Sequence, residues 1–129
     1  MENRQFASAL SSYKTAISIE PNSALLQGSY GRALLAAGQT KAALKALEAS
    51  RSRDFRNSRV LRDLASAYAK NGQVGMASAI TAERYALIGR LEDAHIHAKR
   101  ALELLDTGTT TWQRAQDVLI DAERAEKRR

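Results

Sequence analysis

The sequence contains no cysteine, one proline (Pro21) and few aromatic residues, 5% of the total. Without cysteine there can be no disulfide, no thiolate metal site and no cysteine nucleophile. The compartment stays open, because many secreted bacterial proteins also lack cysteine. No run approaches the roughly 18 apolar residues that span a bilayer. No charged-then-apolar leader is visible at residue 1. The aromatic residues are too few, and too deep in the apolar pattern, for a base-stacking platform. No H-E-x-x-H, Gly-rich phosphate loop, nucleophile elbow or Ser/His/Asp arrangement occurs, so no catalysis is expected of this chain.

Histidine is scarce as well. His95 and His97 are the two present. Two positions apart on a helix they point about 200° apart and cannot chelate one metal. Glu92 and His95 make an E-x-x-H pair, but di-metal bundles need a second such pair and further carboxylates on facing helices. Glu92, Asp93, His95 and His97 are therefore expected to form a solvated face, with Asp93 and His97 as an i,i+4 pair. No metal and no cofactor are expected.

What is present is a repeat. At 129 residues the chain fits one domain, and 44% apolar residues suffice for a core. Within 60–79, Leu61, Leu64, Ala65 and Tyr68 share one helical face. Asn71-Gly72 supplies a left-handed stop, and Ala77 opens the inner face of the next helix. Ala9, Ala43 and Ala77 are evenly spaced at 34 residues. Gly38 and Gly72, Tyr30 and Leu64, Gly31 and Ala65, Leu34 and Tyr68, and Pro21 and Phe55 keep the same interval. This pattern resembles the tetratricopeptide repeat, in which a helical hairpin of this period stacks on its neighbours. Tyr13, Ala16 and Pro21 stand where the second helix of such a repeat places its marker residues.

The resemblance implies an all-α fold, a right-handed α-α superhelix of about seven antiparallel helices. Residues 1–5 read as a lead-in and the first helix as Phe6 to Glu20. Residue 1 falls near position 12 of a repeat, so the repeat's first helix is missing and a longer parent chain is expected upstream. Phe6, Leu10, Tyr13 and Ile17 would then be an apolar face needing cover. Ser23 is a candidate N-cap for a helix to about Ala37, and Thr40 for a helix to about Ser52. Residues 54–57 link to a helix ending near Lys70. Gly89 follows Gly72 by 17 residues, half the period, and Ala94 follows Ala77 likewise. One helix, about Val74 to Ile88, therefore serves two repeats. A helix from Leu91 to about Leu105 turns Ala94, Ala98 and Ala101 inward. Thr109 or Thr110 caps a last helix to about Lys127, with Trp112, Ala115, Val118 and Leu119 as its inner stripe. The expected organisation is a single domain with repeat units at about 1–21, 22–55, 56–88 and 74–106, the last two sharing a helix, and a capping helix at 109–127.

A narrower resemblance runs from Leu64 to Leu105. The doubly used helix, the Ala82-Glu83-x-Tyr85 element and the Gly89 break look like the C-terminal tail of bacterial periplasmic zinc metallopeptidases. Those enzymes carry an H-E-x-x-H protease domain followed by tetratricopeptide repeats. The resemblance implies a non-catalytic tail of a secreted, membrane-associated protease, periplasmic, binding substrate or partner and packing on its own protease domain.

First helices of successive repeats line a groove in this family. Register places Leu25, Gly28, Arg32 and Leu35 there from one repeat and Arg59, Arg62, Ser66 and Lys70 from the next. Three cations on one helix can hold a peptide carboxylate or acidic segment. Gly28 departs from the family's carboxylate clamp. The formal charge is +6, with Arg51, Arg53, Arg56, Arg59 and Arg62 clustered against Asp54 and a basic EKRR tail. The other readings are a solvated helical surface, a stand-alone adaptor unrelated to a protease, and a polyanion binder. A protein or peptide partner is expected, rather than nucleic acid, with an oligomer available through the uncovered face of the first helix.

Overall fold

A computed structural model describes the backbone of residues 2–128 and the side chains of residues 5–128. Met1, from which the missing first helix was read, and Arg129, the last residue of the basic tail, lie outside the described residues. Seven α-helices and no strand are found among them. They are α1 Glu2–Ile19, α2 Ala24–Ala36, α3 Thr40–Arg53, α4 Ser58–Lys70, α5 Val74–Leu87, α6 Leu91–Leu104 and α7 Thr110–Lys127. The all-α fold expected from the repeat pattern is the fold observed. The lead-in at residues 1–5 is not: α1 already begins at Glu2. The chain forms two compact units, Met1–Ala67 and Tyr68–Arg129.

In the first unit α2 packs on α3 and on α1. Leu34, Ala43 and Leu47 are buried at this junction. Gly31 lets α3 come close: a Cβ there would lie 2.6 Å from Leu47 Cγ. The α1 face of Phe6, Leu10, Tyr13 and Ile17 is half-buried, and the Tyr13 and Tyr30 rings stand 6.3 Å apart, tilted by 45°. Truncating a side chain buried like Leu47 costs about 2–5 kcal/mol.

In the second unit α6 packs on α5 and α7, and α7 also reaches α5. Ala94, Ala98 and Ala101 are fully buried, as their spacing predicts. Ala79, Ala101 and Ala115 form a small core bordered by Leu102 and Leu105. Small side chains replace bulk here, so backbones rather than long side chains set the spacing. On α7 the buried residues are Ala115 and Ala122, while Trp112, Val118 and Leu119 are half-buried.

Three turns share one device. At the end of α2, Gly38 takes φ 81°. Its amide donates to the Leu35 carbonyl at 3.1 Å, and the Gln39 amide donates to the Leu34 carbonyl at 2.9 Å. This pair closes the helix's orphan carbonyls, and only a residue without Cβ enters that conformation freely. Gly72-Gln73 and Gly89-Arg90 repeat it, with Gln73 donating to Tyr68 and Arg90 to Tyr85. The residue after the glycine then serves as N-cap of the next helix. Thr40 is therefore the first residue of α3, not its cap; the N-cap is Gln39, with no side-chain hydrogen bond. Ser23 does cap α2, its hydroxyl accepting from the Leu26 amide at 3.2 Å. Thr109 caps α7, accepting from the Trp112 amide at 3.3 Å.

Candidate functional site

The first unit carries a cleft of about 370 Å³ between α2 and α4. Its position follows from local sequence. Ser23 fixes where α2 begins. At the repeat-equivalent position, Asn57 fixes where α4 begins: its Oδ1 accepts from the amides of Arg59 at 3.1 Å and Val60 at 3.2 Å. Each cap satisfies amides that the first helical turn leaves without partners. Gly28 sets the width. A Cβ there would lie 3.1 Å from both Ser50 Oγ and Val60 Cγ2, so α2, α3 and α4 meet at this glycine.

Leu25, Arg32 and Arg59 line the cleft together with Gly28, as the repeat register placed them. Leu25 is 75% exposed, a large apolar side chain at the mouth. Arg32 and Arg59 are exposed, so their guanidinium groups are free to reach a ligand carboxylate in a forked geometry. Leu35 and Ser66 are half-buried and do not line the cleft. Arg62 stands beside it, exposed, its Nε 3.9 Å from Asp63 Oδ1. Lys70 is exposed and belongs to the second unit.

Asp63 is the acidic lining residue that sequence reasoning passed over. It is half-buried within the cleft. The signal was available: Asp63 follows Arg59 by four residues and so shares its helical face. An acid in the same lining as Arg32 and Arg59 changes what the cleft can hold. It favours a segment presenting both an acidic group and a hydrogen-bond donor over a purely anionic one.

The histidine face differs from expectation. Asp93, His95 and His97 are half-buried rather than solvated. Asp93 Oδ2 pairs with Arg90 Nη2 at 2.6 Å, not with His97 as the i,i+4 spacing suggested. His95 Nε2 lies 3.4 Å from Glu123 Oε1 on α7. The His97 ring lies against Tyr85, centroids 5.4 Å apart, and Arg90 covers Tyr85 at 5.0 Å. Burial pushes the His97 imidazole below the ordinary 6.5; Arg100 adds to this and Asp93 opposes it. Among the described residues no group of three or more His, Asp or Glu is placed to hold a metal ion. No helix among them is long and apolar enough to cross a membrane.

Residues 1–62 match the family model of the tetratricopeptide repeat. The match covers the hairpin of α2 and α3 and the start of α4, the elements that build the cleft. Tetratricopeptide repeats generally mediate contacts between proteins and are typically not catalytic. Among curated proteins, none matches this sequence.

Proposed function

We propose that the chain is a non-catalytic protein-interaction module that takes an extended segment of a partner in the cleft between α2 and α4. One observation carries the reading: Leu25 and Arg32 on α2 and Arg59 on α4 line one cleft built by the first helices of two successive repeats. Leu25 offers an apolar contact and the arginines offer charge-assisted hydrogen bonds.

The experiment is a peptide array probed with the full chain and with its Arg32→Glu and Arg59→Glu variants. Segments with an acidic residue beside an apolar one should bind the parent and lose both variants. Unchanged binding by the variants rejects the cleft.

The finer reading concerns context. The string from Leu64 to Leu105 supports placing the module as the C-terminal tail of a secreted, periplasmic zinc metalloprotease, with its own protease domain as one partner. Finding H-E-x-x-H in the open reading frame upstream would support this, and a parent without it removes the protease while leaving the cleft intact. A stand-alone adaptor is then the reading that stands. The net positive charge favours a third, polyanion binding, which predicts steep loss of affinity with salt.

A further inference from the structure

A second concavity lies on the opposite side of α2. Gln27, Tyr30 and Leu34 lie roughly half a turn around the helix from Leu25, Gly28 and Arg32. They floor a groove of about 470 Å³ between α1 and α3. Ile17 forms the α1 wall, and Ala42, Ala46 and Ala49 form the α3 wall. The alanines recur at helical spacing, so that wall is a smooth strip. Leu34 and Ala46 are buried in its depth, while Ala42 stands exposed at its edge. Its size falls in the range of about 300–1,000 Å³ in which proteins hold ligands.

Two charged side chains line this groove, and both are lysines: Lys14 on α1 and Lys45 on α3. Both are exposed. No acidic side chain joins them in the lining. An apolar strip with a cation on each bank is complementary to an apolar stripe flanked by carboxylates. The groove is walled by one helix on each side, α1 and α3, which fits a rod better than a compact small molecule.

We propose that the groove between α1 and α3 is a second docking surface, and that its occupant is an acidic amphipathic helix of a partner protein. Apolar residues one turn apart would seat against Tyr30, Leu34 and the alanine wall, and Glu or Asp beside them would meet Lys14 and Lys45. The alanines let the incoming backbone come close. This surface is independent of the cleft between α2 and α4, so the failure of one leaves the other standing.

The test uses the full chain and a labelled Leu/Ala/Glu peptide of about 18 residues, long enough to form a helix on binding. Its controls are the same peptide with Lys for Glu and a scrambled order that breaks the apolar stripe. Fluorescence anisotropy should show the acidic helix bound in preference to both. Ala42→Trp fills the groove from its exposed edge and should weaken binding at least about tenfold. Lys14→Glu with Lys45→Glu should reverse the preference, so that the Lys peptide binds better. Arg32→Glu with Arg59→Glu removes any part of the signal that comes from the cleft between α2 and α4, and the preference for the acidic helix over the scrambled peptide should persist. If Ala42→Trp fails to fold, the lysine pair decides. Equal binding of acidic and scrambled peptides overturns the proposal, as does binding that survives both groove variants. Saturable decanoate binding without helix binding overturns it in favour of a small anionic amphiphile. A dimer that Ala42→Trp dissociates overturns it in favour of a second copy.

Discussion

The Ser50 hydroxyl donates to the Ala24 carbonyl at 2.8 Å, tying the last turn of α3 to the first turn of α2. Ser50 is 1% exposed and stands beside Gly28, where the floor of the cleft is built. The bond therefore links core packing to the site.

Ser50→Ala removes that bond without adding atoms. The Ala24 carbonyl keeps its helical acceptor role, so the loss should be about 1 kcal/mol in urea unfolding. Ser50→Leu drives bulk against Gly28 and should cost about 1–3 kcal/mol. It should also disturb the cleft, weakening peptide binding, whereas Ser50→Ala should leave binding unchanged. Equal effects of the two variants on binding would separate Ser50 from the cleft.

Two glycines should fail for different reasons. Gly31→Ala puts a methyl 2.6 Å from Leu47 Cγ and 3.2 Å from the Leu47 amide nitrogen. Leu47 is fully buried and cannot swing aside. The overpacking, about 1–3 kcal/mol, should exceed the roughly 1 kcal/mol that alanine gains over glycine in a helix. Gly38→Ala meets no neighbour within 4 Å, so its cost is backbone strain alone, about 1–2 kcal/mol. Pairing each with Leu47→Ala distinguishes them: the Gly31 effect should be strongly non-additive and the Gly38 effect additive.

The repeat was legible because its packing positions are spaced by the geometry of a stacked hairpin. Ala43, Ala94, Ala98 and Ala101 had to face inward once the register was set, and all four are buried. The same register grouped Leu25, Arg32 and Arg59 as candidates, and the three line one cleft. Asp63 was not grouped with them, because the reading followed cations and ignored the acid one turn away. The cap of α3 was missed because Thr40 has a capping side chain, while its position is decided by the turn before it. Gln39 must donate to Leu34 to close α2, which leaves Thr40 already inside the next helix. Asp93 was expected to pair with His97 and pairs with Arg90 instead, because sequence spacing cannot show Arg90 reaching Asp93 or the Tyr85 ring beside His97.

The caps give a direct comparison. Ser23→Ala should cost about 1 kcal/mol and Asn57→Ala a similar amount, since each strands amides at a helix start. Thr40→Ala should cost almost nothing, because its side chain does not cap α3. A loss at Thr40 as large as at Ser23 would contradict the turn geometry.

Acid should weaken the second unit through His97. The folded chain disfavours the imidazolium there, first through burial and then through Arg100, with Asp93 opposing. Tyr85, with Arg90 stacked on it, borders the same ring. The unfolded chain thus binds the proton more readily, so stability is full above 6.5 and is lost as pH falls through the lower folded value. His97→Phe keeps an aromatic against Tyr85 and removes the proton site. Urea midpoints measured from about pH 7.5 to about pH 5 should fall less steeply for His97→Phe than for the parent. Parallel slopes would remove His97 from the account.

The cleft's mixed charge makes the sharpest binding prediction. Arg32→Glu and Arg59→Glu each reverse a cation that faces the bound segment, and each should weaken an acidic peptide by about tenfold or more, chiefly at low salt. Asp63→Asn keeps the shape and removes the like charge, so the same peptide should bind several-fold tighter, by about 1 kcal/mol or less for a group this near the surface. It also frees Arg62, whose Nε is 3.9 Å from the Asp63 carboxylate, and adds a third available cation. A peptide bearing a lysine where it meets Asp63 should respond in the opposite sense and lose affinity. If Asp63→Asn weakened both peptides alike, Asp63 would be holding the cleft's structure, with Arg62 as its partner, rather than selecting what enters it.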